Sequence, residues 1–122
     1  MRVRKYWDYD VWQKAHQLTL DVYDLTRAFP ADERFGLTTQ MRRAMVSVES
    51  NVAEGSGRTS EKDFSRFLDI AIGSANEVEC QARIARDLGY VTEEAYRRVT
   101  QRLGMVRRDL VAFRNHIQRR SA

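Results

Sequence analysis

Ten basic side chains are the residues of this sequence best placed to act on a ligand, and their chemistry is the neutralisation of phosphate. Arg42, Arg43, Arg58, Lys62 and Arg66 crowd one stretch, and Arg97, Arg98, Arg102, Arg108 and Arg119 another. Arg97, Arg108 and Arg119 recur at steps of eleven, which puts them on one line of a helix, with Arg98 and Arg102 on a neighbouring line. Such a ladder fits successive phosphates of a nucleic-acid backbone. The aromatic residues that would stack on bases fall mostly at core spacing, so binding to RNA or DNA is expected to be weakly sequence-specific. Glu61, Asp63 and Asp69 stand near enough to neutralise part of the first cluster. The alternative is a solvated helix face whose arginines serve solubility and pair with acids of a neighbouring subunit, such as Asp21 or Asp24.

Other chemistry is excluded by spacing. A bundle-type di-iron site needs Glu-x-x-His pairs, but Gln13 precedes His16 and Phe113 precedes His116 at that offset. Two histidines on separate helices make no zinc site. Cys80 has no neighbour in sequence that would activate its thiol. Gly55-Ser56-Gly57-Arg58 lacks the spaced glycine-lysine pair of a phosphate loop, and Ser47 and Ser50 lack a base. No catalytic residue, metal or cofactor is expected. Asn51 falls three residues after Val48, at a core-type position. It reads either as a buried polar residue that fixes register or as part of a polar pocket beneath the glycine turn.

The 122 residues, with 43% hydrophobic and 31% charged content, fit one globular domain. The net charge of +4 is uneven. Eight arginines against Glu93, Glu94 and Asp109 make residues 93–122 carry +5, so residues 1–92 sum to −1. No apolar run approaches the ~18 residues of a membrane span. The basic opening from Met1 meets Asp8 and Asp10 before any signal-peptide core. A cytoplasmic protein is expected.

Four helices must position these residues, over about 11–29, 37–54, 60–88 and 92–119. Asp8 or Asp10 is the expected N-cap of the first, and Pro30 ends it. Gly55-Ser56-Gly57 ends the second. Ser60 with Asp63 opens the third, Gly89 closes it, and Thr92 with Glu93 and Glu94 opens the fourth. Apolar residues alternate in steps of three and four in each, as in Phe64, Leu68, Ala71, Ala75, Val78, Ala82 and Ala85. The fold class is all-α, an antiparallel up-down-up-down four-helix bundle, with the last two helices projecting as a hairpin ~40 Å long. Trp12, His16, Leu20 and Tyr23 on the first helix, and Phe67, Ile70, Ile84 and Leu88 on the third, are surplus to one seam per helix. They are candidates for an oligomer interface.

Tyr9-Asp10-Val11-Trp12-Gln13-Lys14-Ala15, the stretch Gln40-Met41-Arg42-Arg43-Ala44 running through Ser47-Val48-Glu49-Ser50-Asn51-Val52-Ala53-Glu54-Gly55, and Gly73-Ser74-Ala75 with Asp87-Leu88-Gly89-Tyr90 carry a family resemblance. The sequence resembles the small bacterial four helix bundle protein family, also known for the protein encoded in intervening sequences of 23S ribosomal RNA genes. The resemblance implies a cytosolic bundle that assembles as a homopentamer, with no established activity. A related branch, the accessory variability proteins of diversity-generating retroelements, binds nucleic acid and a reverse transcriptase. Glu49 departs from the family's frequent proline, which implies a straighter second helix. Ser47, Asn51, Glu54 and Gly55 are read as a structural motif that holds bundle and subunit contacts. The expected function is a non-enzymatic oligomeric scaffold or binding module for RNA or a nucleoprotein; the alternative is a protein-interaction pentamer with no nucleic-acid role.

Overall fold

A computed structural model describes residues 4–121, so the basic opening over Met1–Val3 lies outside the described residues. Four helices account for most of the chain: α1 (Asp10–Thr26), α2 (Leu37–Ser56), α3 (Glu61–Asp87) and α4 (Glu93–Ser121). Short 3-10 turns at Tyr6–Asp8 and Ala31–Glu33 precede α1 and α2, and the described residues hold no strand. Each helix packs on its sequence neighbour, and α4 returns to α1.

The stripes read from the sequence form one core. Ala15, Leu18 and Val22 of α1 meet Met41, Met45, Val48 and Val52 of α2, Leu68 through Ala85 of α3, and Leu103, Leu110 and Ile117 of α4. Val52, not Asn51, takes the core place in the last turns of α2, and Asn51 is only half-buried. Tyr9, Phe64 and Phe113 close one end with ring centroids 5.2–5.9 Å apart.

Several ends differ from the sequence reading. Neither Asp8 nor Asp10 caps α1: Asp8 accepts the Lys5 amide at 3.0 Å, and Asp10, already helical, pairs with Lys14 at 3.0 Å. Helix α1 stops at Thr26, three residues early. There the Thr26 hydroxyl donates to the Val22 carbonyl, and Phe29 donates to the Thr26 carbonyl in a tight turn ahead of Pro30. Helix α2 runs on to Ser56, so Gly55 lies inside it. The expected caps of the long helices are in place. Ser60 Oγ accepts the Asp63 amide, and Thr92 Oγ1 accepts the Ala95 amide, each at 3.1 Å. Gly89, at φ +76°, closes α3: Tyr90 N–H donates to the Ala85 carbonyl and Gly89 N–H to the Arg86 carbonyl.

Glu33 ties the two ends of the chain's middle together. One carboxylate oxygen accepts the Leu37 amide at the start of α2, and the other accepts the Tyr90 hydroxyl at 2.7 Å, from the loop between α3 and α4. Gly36 makes room for it, since a Cβ there would lie 2.8 Å from the Glu33 oxygen. The Tyr90 hydroxyl, and after it the Leu37 amide, hold the Glu33 carboxyl below its ordinary value of 4.5. A carboxyl with a lowered folded pKa contributes stability that is complete above its unfolded value and is lost as pH falls through the folded one. Glu33→Gln is therefore expected to unfold at lower urea than the wild type at pH 7, with the gap closing as pH falls below about 4.5. A gap that stays constant from neutral to acid pH would contradict this role.

Candidate functional site: a basic and an apolar surface

The fold divides the ten nominated basic residues into two groups. Six are engaged within the protomer. Arg42 donates through Nε to Thr26 Oγ1 at 2.7 Å and through Nη2 to the Tyr23 carbonyl, with its guanidinium 4.6 Å above the Tyr23 ring. Arg58 pairs with Glu54 at 2.9 Å, Arg66 with Asp63 at 3.5 Å, and both guanidinium groups lie over Phe67. Arg97 pairs with Glu93 and Arg98 with Glu94 along α4, and Arg102 reaches across to Asp21 at 2.5 Å. Arg43, Lys62, Arg108 and Arg119 are exposed and have no ion-pair partner among the described residues.

The three other arginines of α4 are straps to its neighbours. Arg107 bonds Asn76 and Glu79, Arg114 bonds Asp69, and Arg120 bonds Glu61. Glu61 and Asp69, expected to damp the first basic cluster, instead hold α4. Asp21, a proposed acceptor from another subunit, is engaged by Arg102 of its own chain. On the α1 side, Lys14 bridges Asp10 and Asp109, and hydrogen bonds to those two carboxylates raise its ammonium above the usual lysine value. Exposed pairs of this kind are individually weak, because solvent screens them. Arg83 on α3 is a further exposed arginine without a partner among the described residues. It was missed because it stands outside both arginine-rich stretches.

The apolar candidates divide as well. Phe67 is only 8% exposed, because it packs inside the protomer against Gly55. Trp12 is half-buried, edge-on to Tyr6 at 4.9 Å and stacked on His16 at 4.8 Å. His16 Nδ1 donates to both carboxylate oxygens of Glu49, at 3.2 and 3.0 Å, so Glu49 fastens α2 to α1. Leu20 (50%), Tyr23 (37%), Ile70 (43%), Ile84 (43%) and Leu88 (56%) remain exposed. Val46 joins them, an apolar residue off the α2 stripe whose position gave it away only in retrospect.

Residues of the α2 motif make contacts within the bundle. Ser47 and Ser74 share a hydrogen bond of 2.9 Å between α2 and α3, and Asn51 Nδ2 donates back to Ser47 at its carbonyl and hydroxyl. Beneath the glycine turn, Phe64 and Phe67 pack against Gly55 where a polar pocket was the alternative expectation. A Cβ on Gly55 would sit 2.8 Å from Phe67 Cβ and 2.9 Å from Phe64 Cδ1.

A family model described as 23S rRNA-intervening sequence protein matches residues 7–112. The chain belongs to that family. A protein of unknown function from the S23 ribosomal protein family of Bacteroides thetaiotaomicron has a crystal structure similar to this one, with a TM-score of 0.76. The two are 23% identical, and the match covers 84% of this chain and 96% of the other, a likeness of fold. No curated protein sequence matches the chain.

The close approach at Gly55 gives an opposed pair of expectations for this 23S rRNA-intervening sequence family member. Gly55→Ala gains up to about 1 kcal/mol of helix propensity but overpacks two phenylalanines at a cost of about 1–3 kcal/mol, so it should lower stability. Gly104→Ala in α4, with nothing within 4 Å of the added carbon, should raise it by up to about 1 kcal/mol. Urea denaturation reads both signs. A stabilised Gly55→Ala protein would show that α2 and α3 do not need that contact.

Proposed function

We propose that this chain is a non-enzymatic, cytoplasmic scaffold module that assembles with copies of itself. The observation that carries this reading is a group of six among the exposed apolar side chains, Leu20, Tyr23, Val46, Ile70, Ile84 and Leu88, which lie on α1, α2 and the α3 side of a bundle whose core is already filled. None of them belongs to the core, and their burial between copies would be favourable at about 25 cal/mol per Å². The family resemblance supports a closed pentamer as the form of that assembly. The up-down-up-down order of the helices is supported by the cross-helix pairs, whose numbers run in opposite senses: 14 with 109 and 21 with 102, and 61 with 120, 69 with 114 and 79 with 107. The non-enzymatic reading is supported by the engagement of His16 with Glu49 and of Ser47 with Ser74 and Asn51, which ties the nominated polar groups to structure. Light scattering coupled to size exclusion is expected to give a mass near five protomers. A protomer mass at micromolar concentration would overturn the scaffold reading.

A second reading, that the assembly also binds RNA or DNA, is favoured by Arg108 and Arg119. They are unpaired, exposed and about 16 Å apart along α4 at 1.5 Å per residue. Repeated around a ring, such sites would add through multivalency. Binding would be measurable at low salt, indifferent to sequence and steeply weakened by salt. Replacing Arg108 and Arg119 with glutamine should lower affinity for all sequences alike and reduce the salt slope by about 2 per engaged protomer. Fluorescence anisotropy with a labelled RNA tests this. Wild-type protein that fails to bind at ~50 mM salt, a condition favouring electrostatic association, would leave a protein-interaction scaffold alone.

A further inference from the structure

On α3, Ile70, Glu77 and Ile84 repeat at intervals of seven, and Leu88 follows one turn later. All four side chains are exposed, so they form one ridge along the outer face of the helix. Successive positions of the seven-residue repeat are about 10 Å apart along it. Glu77 stands between the two isoleucines and has no ion-pair partner among the described residues. An acid isolated between apolar residues on an open face is suited to a cation on another surface.

The outer side of α2 with the edge of α1 carries the complement. A shallow depression of about 490 Å³ lies among Tyr23, Thr39, Arg43, Val46 and Ser50. No carboxylate lines it among the described residues. Arg42, which also lines it, is locked onto Thr26 and the Tyr23 ring. Arg43 is exposed and unpaired, with apolar surface from Tyr23 and Val46 in the same depression. The ridge is an acid between apolar groups, and the depression is a cation beside apolar groups.

We infer that the α3 ridge of one copy docks in the α1–α2 depression of the next, with Glu77 of one chain paired to Arg43 of the other and Ile70 and Ile84 set against Tyr23 and Val46. This rests on the self-assembly proposed above and names the surfaces that carry it. Ridge and depression are different surfaces, so the contact is head-to-tail, the type that closes into rings. The ion pair fixes register, because a shifted contact leaves both charges facing apolar groups.

Mixing two charge-reversed variants tests the pairing. Arg43→Glu puts two acids opposite each other in trans, and Glu77→Arg puts two arginines there. Each alone should associate at least tenfold more weakly than the wild type, measured by light scattering over a dilution series, with wild-type circular dichroism. In an equimolar mixture the two variants face each other with opposite charges at both kinds of mixed contact, and because a ring of five still holds one like-charged contact, association should recover at least about threefold over either variant alone while staying weaker than the wild type. A pair formed within one chain would gain nothing from mixing. Single variants that assemble like the wild type, or a mixture that stays as protomers, would overturn this pairing while an assembling wild type leaves the scaffold reading standing. A wild type that is itself a protomer throughout would overturn both, and would assign these surfaces to a different partner. Neutral Arg43→Gln and Glu77→Gln variants should weaken association in the same direction by a smaller factor.

Discussion

The approach of α3 to α2 is the constraint on which the remaining structure depends. Ala71, Ala75, Ala82 and Ala85 put small side chains along most of the α3 stripe, and Gly55 removes a side chain from α2 where Phe64 and Phe67 arrive. Close packing of that kind leaves little room for adjustment, because interiors are filled to the density of organic crystals. The hydroxyls of Ser47 and Ser74 meet along the same seam, and Asn51 satisfies Ser47 from one turn away. Once α2 and α3 are set, α1 and α4 cover the open side of the core with larger residues such as Leu18, Leu103, Leu110 and Ile117.

The charge of α4 acts on this frame before it acts on any ligand. Arg102, Arg107, Arg114 and Arg120 each reach a carboxylate on α1 or α3, and the exposed pairs are individually weak. Their collective effect is orientation: four guanidinium groups specify which way a long basic helix faces its neighbours. The positive surface left over is smaller than the composition suggests. It is concentrated at Lys62, Arg83, Arg108 and Arg119 on the long helices, and at Arg43 on α2. Net charge of +4 is thus a poor measure of the area offered to a polyanion.

Helix number, stripes and most caps were legible because each depends on residues close in sequence. Ser60, Gly89 and Thr92 act through bonds to residues three to five positions away. What escaped depends on distant partners. Gly55 looks like a helix stop until Phe64 and Phe67 are known to lie against it. Phe67 looks surplus until that space is known to exist. Glu33 carries no local sign of a partner at Tyr90, fifty-seven residues on. The arginines of α4 were legible as charge but not as straps, since their acids lie on α1 and α3. The surplus apolar face was legible in outline, and folding buried Phe67, half-buried Trp12 and paired the still exposed His16 with Glu49 while adding Val46.

The central claim is that the exposed apolar face is covered by another copy of the chain. Hydroxyl-radical footprinting across a dilution series measures this side chain by side chain. Leu20, Tyr23, Val46, Ile70, Ile84 and Leu88 should be protected in concentrated protein and become labelled on dilution. Met105 on α4, exposed and outside that face, serves as the internal reference and should be labelled equally throughout. Labelling of the six that tracks Met105 at every concentration would contradict the account.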